Sequence, residues 1–304
     1  MTKIEAKEAY FIKLGRGGEW EDECLRDSTL RFGYRETPHD LCLDGNWEAV
    51  QQFWETRQGD AGVATRNMNQ IRIFYEAGVE TVFITFARSL MYWCRPSGSV
   101  EVLADGWRRR STVQGWNSKS VGGISLTVDR LSGHLLKVQR FQGTICQVKA
   151  FDYLLRKLND ELLPEVAAAE EAERALIDSI TGLIRRLTWQ DFELLVDLIF
   201  SASGWRRIGR VGGPQKTVDL ELRLPTTDER AFVQIKSQAN DASFREYAER
   251  FAEADSYKYM FFVWHTGEVT AADGADGVKL IGPARLARMV LDAGLTSWLR
   301  EKVS

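Results

Sequence analysis

Two segments in which apolar and polar residues alternate constrain the fold of this chain most. The first reads KTVDLELRL and carries Asp219; the second reads AFVQIK and carries Gln234 and Lys236. A period of two residues is typical of strands whose faces meet different surroundings. The six residues PTTDER between the segments are rich in turn formers. We therefore predict an antiparallel hairpin in which Gln234 and Lys236 share a face.

A symmetric pairing across the PTTDER loop sets which polar residues meet. Asp219 then lies opposite Lys236, and Glu221 lies opposite Gln234. Glu193 stands one residue, about 100° around the helix, from the apolar stripe of the helix that precedes the hairpin. The predicted patch therefore gathers an amide, a lysine and several carboxylates.

Such a patch suits metal-assisted hydrolysis of phosphodiester bonds. Mg²⁺ prefers oxygen ligands, so a carboxylate, an amide oxygen, a main-chain carbonyl and waters satisfy it. The ion lowers the pKa of a bound water, while a lysine orients that water and offsets negative charge. The alternative for the hairpin alone is an exposed face with an ion pair worth about 0–1 kcal/mol.

The order of helices and strands around the hairpin helps to decide between a metal site and an exposed face. The helix LTWQDFELLVDLIF begins with a capping pair, Thr188 and Asp191, and the basic loop RRIGRVGGPQKT follows it. After the hairpin come an amphipathic helix ASFREYAERFAEA, a buried strand KYMFFVW and a last helix that starts at Pro283. Helix and strand therefore alternate from about residue 176 onwards.

This ordered set, which covers about residues 176–292, resembles the Mrr-like branch of the PD-(D/E)XK restriction nucleases. The resemblance implies an α/β restriction-endonuclease-like domain with a mixed central sheet. It also implies a metal, Mg²⁺ or Mn²⁺ in its place, held by a carboxylate, an amide and a main-chain carbonyl. The positions that match the metal-binding and catalytic residues of the family are Asp219, Gln234, Lys236 and Glu193. We also expect the main-chain carbonyl of Ile235 to help hold the metal.

The loop before Asp219 departs from the family pattern. The family carries an acidic residue followed by glycines there, whereas this chain reads GGPQKTVD and includes Lys216. We hypothesise that Glu221 supplies the second carboxylate. The missing acid also keeps open an alternative, in which the domain binds nucleic acid without cleaving it.

The first half, to about residue 159, carries short apolar runs such as TVFITFA and SLMYWCRP between glycine, aspartate and serine. Its candidate helices are EWEDECLRDSTLRFG and DGNWEAVQQFWETR. Short strands with close turn signals predict an α+β domain rich in strands. With EAYFIKLGRGGEWE at its start and ITFARSLMYWC as a central strand, it loosely resembles PUA-like barrels of the EVE and YTH type.

That resemblance implies a pocket in which aromatic rings hold a flipped or modified base. Trp20, in a glycine-flanked loop, and Trp93, on a strand, are the candidates for such rings. Arg108, Arg109 and Lys216 are candidates for contact with the base or the DNA backbone. The alternative for each tryptophan is a place in the core of a small β domain.

The composition gives little support for other kinds of active or binding site. The four cysteines show no CxxC spacing and the three histidines lie far apart, which argues against a zinc site or a Ser/His/Asp triad and favours buried, reduced thiols. A net charge of −3 argues against binding nucleic acid by bulk charge alone. Without a long apolar segment or a signal peptide, the chain is expected in the cytoplasm.

We therefore expect a PUA/EVE-like base-sensing domain at residues 1–160, a helical connector at 161–178 and an Mrr-like nuclease domain at 179–304. The expected function is a modification-dependent, type IV-like DNA endonuclease that uses Mg²⁺ to restrict foreign DNA. Because cutting both strands needs two centres, a homodimer on double-stranded DNA is expected. Two alternatives stay open: an inactive nucleic-acid-binding module, and a defence nuclease gated by a small nucleotide signal.

Overall fold

The chain forms two compact units, Met1–Leu162 and Leu163–Ser304. The computed structural model describes residues 3–208, 219–254, 256–270 and 277–304. In these ranges no helix is both long enough and apolar enough to cross a membrane. The four cysteines are free thiols, and all but the half-buried Cys146 are buried.

The amino-terminal unit combines a six-stranded sheet with helices. Its strands are β1 (Glu8–Ile12), β2 (Thr29–Phe32), β3 (Thr81–Ala87), β4 (Leu90–Val102), β5 (Arg108–Asn117) and β6 (Ile145–Gln147). Its helices are α1 (Glu21–Asp27), α2 (His39–Leu43), α3 (Trp47–Gln58), α4 (Ala61–Glu76), α5 (Gly133–Leu136) and α6 (Phe151–Asn159). Short 3-10 helices span Arg16–Gly18, Val128–Arg130 and Lys137–Arg140.

The sheet of this unit has the order β2-β5-β4-β3-β1-β6. Strands β1 and β3 are parallel, and the other neighbours are antiparallel. Successive residues of β3 face opposite sides: Phe83 packs in a core with Phe32 and Phe74, whereas Val82 and Ile84 pack in another. The predicted α+β class is confirmed, and the likeness to PUA-like barrels stays a prediction.

Two helices of this unit differ from the prediction. The segment EWEDECLRDSTLRFG is helical only to Asp27, because Ser28 adopts a left-handed conformation (φ 58°) and Thr29 begins β2. Helix α4 is absent from the prediction, although Ala64, Ile71 and Phe74 recur on its buried side. Its remaining residues are mostly polar, which masks this pattern.

The segment ITFARSLMYWC is a hairpin and not the predicted single central strand. Arg88 and Ser89, between β3 and β4, both have positive φ values of 51° and 61°. Two such residues reverse the chain tightly between antiparallel strands. The apolar run GISLTV, whose pattern also predicts a short strand, forms none and contributes only isolated bridges.

The carboxy-terminal unit contains a five-stranded sheet with the order β11-β10-β9-β8-β7. Its strands are β7 (Arg206–Arg207), β8 (Leu220–Leu224), β9 (Glu229–Ala239), β10 (Tyr259–Gly267) and β11 (Val278–Ile281). Its helices are α7 (Pro164–Ile184), α8 (Trp189–Ala202), α9 (Asp241–Ala252), α10 (Pro283–Asp292) and α11 (Thr296–Val303). Strand β10 is parallel to β9 and β11, while β8 is antiparallel to β7 and β9. The predicted mixed central sheet is confirmed, but α11 follows the helix that was expected to be the last.

Helices α7 and α8 build one core of this unit. Ile177, Ile180 and Ile184 of α7 are buried in it. Helix α8 begins where predicted: the Thr188 side-chain oxygen accepts a hydrogen bond from the main-chain N–H of Asp191, and its hydroxyl donates to the Asp191 carboxylate. This cap satisfies main-chain donors at the helix start.

The two faces of the central sheet meet different helices. Ile235 of β9 faces the core that α7, α8 and α10 build. Phe232 faces the other side, where it packs with Phe244 of α9. Because side chains alternate along a strand, Gln234 and Lys236 share the side of Phe232. The predicted site residues of β9 therefore lie on the α9 side.

The loop of the β8–β9 hairpin is shorter than predicted. Leu220 pairs with Val233, and Leu224 pairs with Glu229. Only residues 225–228 form the loop, in which Asp228 has a positive φ of 60°. The hairpin itself is confirmed, and the symmetric six-residue loop is wrong.

The shorter loop shifts the register by two residues. Asp219 therefore contacts Gln234 and does not lie opposite Lys236. Glu221 pairs with Phe232 and not with Gln234. Since the shift is even, each side chain keeps its predicted face.

Candidate active site

Asp219 lies at the centre of the polar cluster on the α9 side of the hairpin. Its Oδ2 accepts a hydrogen bond of 2.5 Å from Nε2 of Gln234 and one of 2.6 Å from the main-chain N–H of Ile235. Burial raises the pKa of the Asp219 carboxyl above its ordinary value, although the Ile235 N–H, the charge of Lys236 and the Gln234 amide oppose this rise. The cluster therefore holds a carboxylate whose charge is not fully compensated by the protein.

Gln234 offers a free acceptor beside this carboxylate. The residue is only 4% exposed. Its Nε2 faces Asp219, because a carboxylate needs a donor, and Oε1 then points elsewhere. Among the residues described, no donor reaches Oε1. A buried acceptor without a partner costs about 1–3 kcal/mol, so a ligand that binds Oε1 would stabilise this arrangement.

Lys236 is held by an aromatic residue of α9. Its Nζ lies 3.0 Å from the hydroxyl oxygen of Tyr247 and 4.9 Å from the centroid of that ring. The ammonium donates to the phenol oxygen. Tyr247 is therefore the direct partner of the predicted catalytic lysine.

Glu193 of α8 lies within the electrostatic reach of Asp219. It is half-buried, and burial raises its pKa; the negative charge of Asp219 raises it further, while Arg207 lowers it. A buried carboxyl group whose pKa is raised by a neighbouring carboxylate is typical of a place where a cation would be stabilising. The structure thus brings Glu193 together with the hairpin residues.

Glu221 occupies a different environment from the one that the hypothesis of a second carboxylate needs. Its carboxylate accepts a hydrogen bond from the Tyr257 hydroxyl. It follows Asp219 by two residues, a separation of about 6–7 Å in extended backbone. Within the described ranges, no three His, Cys, Asp or Glu residues are grouped so that they could hold a metal ion. A cation here would need amide or main-chain oxygens as well.

In the amino-terminal unit, Trp20 lines a cleft of about 340 Å³ that also exposes Trp107. The two rings lie 5.2 Å apart and are tilted by 59°. Cations lie against both rings: Arg31 is 4.9 Å from the Trp20 centroid, and Arg35 is 5.5 Å from that of Trp107. The other lining residues include Lys13, Gly15, Arg16, Gly17, Gln142, Gly143 and Thr144.

Trp93 lines a second cleft, of about 610 Å³, together with Arg95, Gln114 and Asn117. Its indole N–H donates to the main-chain oxygen of Lys119. The two tryptophans proposed from the sequence therefore do not form one cage. Each belongs to a separate cleft of the amino-terminal unit.

The predicted basic residues differ in their exposure. Arg108 is only 3% exposed, and its guanidinium donates to the main-chain oxygen of Thr37 and the hydroxyl of Tyr75. It is a core residue and is not offered to a DNA phosphate. Arg109 points outwards and pairs with Glu101 at 2.8 Å. Lys216 lies outside the described residues.

Two further residues of interest, Tyr247 and Trp107, belong to no sequence motif. Tyr247 follows the buried Phe244 by three residues, so the helical period could have placed both on the sheet-facing side of α9. Trp107 follows a turn glycine, Gly106, which has a φ of 82°. No sequence pattern shows that Trp107 would meet Trp20, because 87 positions separate them along the chain.

Residues 184–290 match the family model Mrr_cat, described as "Restriction endonuclease". This match confirms the Mrr-like resemblance that the motifs predicted, and it supports a restriction nuclease domain in the carboxy-terminal unit. It does not extend to the amino-terminal unit.

Comparison with curated proteins gives no match. Among solved structures, the chain is similar to the MspJI restriction endonuclease in complex with a 27-mer oligonucleotide, with 15% sequence identity and a TM-score of 0.28. The similarity covers 74% of this chain and 64% of that chain. This chain therefore spans less than two thirds of the length of that protein.

Proposed function

We propose that this protein is a Mg²⁺-dependent, modification-dependent DNA endonuclease of the type IV-like kind, which restricts foreign DNA in the cytoplasm. The observation that carries this proposal is the contact between Asp219 and the buried Gln234 at 2.5 Å. It lies on a hairpin inside the segment that matches restriction endonucleases, with Glu193 nearby. The substrate class is double-stranded DNA.

The oxygens of this cluster fit a hard divalent cation, Mg²⁺ or Mn²⁺. Gln234 offers an unpartnered Oε1, and Asp219 offers a carboxylate. The main-chain carbonyl of Ile235 would complete the set, and Glu193 adds charge beside it. A cation would also offset the cost of ionising Asp219 and Glu193, whose pKa values burial raises. Oxygen ligands of this kind are those that Mg²⁺ prefers.

The protein residues then have separate roles in hydrolysis. When bound, Mg²⁺ polarises the scissile phosphate and lowers the pKa of a water. Lys236 donates hydrogen bonds that orient the attacking water, and its charge offsets the negative charge that develops on the phosphate. Glu193 assists as a second carboxylate. Cleavage of both strands requires two such centres, so we propose a homodimer on DNA.

For the amino-terminal unit we propose that the Trp20 cleft receives an extruded, modified base. Trp20 and Trp107 provide aromatic faces, and Lys13 and Arg16 in the same cleft provide cations for an adjoining phosphate. Stacking of one base on an aromatic ring contributes about 1–3 kcal/mol, which is enough to offset much of the cost of extrusion. Arg109, which is exposed, is a candidate contact for the DNA backbone.

The test compares the wild-type protein with the Lys236→Ala variant on three DNAs in the presence of Mg²⁺. The DNAs are unmodified, cytosine-methylated, and hydroxymethylated or glucosylated. Fragments from a modified DNA alone, absent with the variant, are the expected result. Cleavage of unmodified DNA at the same rate would overturn the role of base modification.

Absence of cleavage by the wild type on all three DNAs would overturn the proposed endonuclease. DNA binding that weakens steeply with salt would then indicate a binding module. Cleavage that appears only after addition of a cyclic or linear nucleotide would indicate a signal-gated nuclease instead.

A further inference from the structure

We propose that Tyr247 is a positioning residue, which holds the ammonium of Lys236 at the place where the lysine acts in cleavage. This inference rests on the proposed function, because it concerns the same site. Its basis is the 3.0 Å hydrogen bond from Nζ of Lys236 to the Tyr247 hydroxyl. The nitrogen also lies 4.9 Å from the ring centroid.

Among the described residues Lys236 forms no ion pair with Asp219, so another contact has to fix its ammonium. Oδ2 of Asp219 accepts hydrogen bonds from Gln234 and from the main-chain N–H of Ile235. A lysine side chain has four rotatable bonds, and an unpartnered ammonium would occupy several rotamers. The hydrogen bond to Tyr247 selects one of them.

The chemical nature of the partner matters as much as its position. A phenol oxygen accepts one hydrogen bond and brings no negative charge at neutral pH. Tyr247 therefore adds no charge beside the ammonium, which keeps two further N–H groups for a water and a phosphate oxygen. A carboxylate in place of Tyr247 would neutralise the charge that the transition state needs.

Tyr247 is itself fixed by the way α9 is built. The helix begins with a reciprocal cap, in which Asn240 Oδ1 accepts from the Ser243 N–H and Ser243 Oγ accepts from the Asn240 N–H. One turn further on, the Tyr247 ring packs against Phe262 of the central sheet, with centroids 6.2 Å apart. A rigid ring on a capped helix is suited to hold a flexible lysine.

The decisive variant is Tyr247→Phe, which removes the hydroxyl and keeps the ring. Its matched control is Tyr259→Phe, the same chemical change on the opposite face of the sheet, where the Tyr259 ring packs with Trp205 and Phe261. Three quantities are measured: the single-turnover cleavage rate with Mg²⁺, the affinity for the same DNA with Ca²⁺ in place of Mg²⁺, and the side-chain ¹⁵N signal of the Lys236 ammonium, assigned with Lys236→Arg.

For Tyr247→Phe we expect the cleavage rate to fall about tenfold or more, as the loss of a hydrogen bond to a charged group predicts. DNA affinity should stay unchanged, and the ammonium signal should broaden through faster exchange with water. Tyr259→Phe should match the wild type in all three measurements.

An unchanged cleavage rate in Tyr247→Phe, beside an active wild type and an inactive Lys236→Ala variant, would overturn the positioning role alone. So would a loss of DNA affinity that accounts for the whole loss of rate, because Tyr247 would then be a DNA contact. A wild-type protein that cleaves none of the DNAs would overturn the proposed function itself, which is a distinguishable result.

Discussion

Asp219 and Gln234 join neighbouring antiparallel strands through their side chains, with 2.5 Å between Oδ2 and Nε2. The bond leaves Oε1 of Gln234 buried and without a partner in the described part of the chain. A carboxylate with a raised pKa therefore stands beside a free amide oxygen. This arrangement destabilises the metal-free folded state, and a bound cation would remove that destabilisation.

We expect Asp219→Asn to lower the cleavage rate at least about 100-fold without loss of stability. Burial raises the pKa of Asp219, so the ionised carboxylate destabilises the metal-free folded state at neutral pH, and a neutral amide removes this destabilisation. The Tm in EDTA should equal or exceed that of the wild type. Addition of Mg²⁺ should raise the Tm of the wild type only. A variant that unfolds at a much lower temperature would contradict this account.

Replacement of the Gln234 amide by a carboxylate should make the stability of the protein depend on the metal. Gln234→Glu places a second negative charge against Asp219, whose Oδ2 loses the donor at 2.5 Å. In EDTA we expect a lower Tm than that of the wild type, and in Mg²⁺ a larger rise on titration. Calorimetry with and without Mg²⁺ measures both. Equal Tm rises in the two proteins would show that this position does not contact the ion.

Glu193 and Asp219 should make the folded state less stable as the pH rises. Burial, and for Glu193 the charge of Asp219, raise the pKa of both groups. The folded state therefore binds their protons more tightly, and the stability they contribute is present at low pH and is lost as the pH rises from the ordinary to the raised values. Other carboxyl groups act oppositely, so the measurement is the difference between the wild type and Glu193→Gln in EDTA. As the pH rises, the wild type should lose stability relative to Glu193→Gln. A gain in stability relative to the variant would contradict the raised pKa.

Adjacent arginines of β5 should differ in their contribution to folding. Arg110 is 6% exposed and donates to the main-chain oxygens of Phe74, Ala77 and Gly98, which ties the end of α4 to the sheet. Arg110→Ala should lower the free energy of unfolding by about 2–4 kcal/mol, because these acceptors lose their donors. The control Arg109→Ala removes an exposed ion pair and should cost about 1 kcal/mol or less. Urea unfolding of both variants measures these free energies. Equal losses of stability in the two variants would contradict the buried role of Arg110.

Selectivity for modified DNA should depend on the cleft of Trp20. Trp20→Ala should lower the ratio of cleavage rates on modified and unmodified DNA by about 10–100-fold, the range that loss of one stacking contact predicts. The exposed Trp189 of the other unit, changed to alanine, is the control and should leave the ratio unchanged. A loss of selectivity in Trp93→Ala but not in Trp20→Ala would place the base in the second cleft.

Much of the candidate site follows from the sequence. The period of two residues along β9 places Gln234 and Lys236 on one face, and the helical period of α8 places Glu193 at the border of its buried stripe. These are local properties, which the spacing of apolar residues sets. They hold despite the register error, because a shift of two residues returns every side chain to its own face.

The contacts between distant residues required the tertiary structure. The four-residue loop, with Asp228 in a left-handed conformation, decides that Asp219 contacts Gln234. Packing of α9 on the sheet decides that Tyr247 meets Lys236. The run of three arginines at β5 looks uniform in the sequence, yet strand alternation around the core buries Arg108 and Arg110. The sequence by itself determined which side chains share an element and a face, since that depends on local periodicity. Only the tertiary structure decided which of them touch, because loop conformation and packing between elements set distances that no local spacing contains.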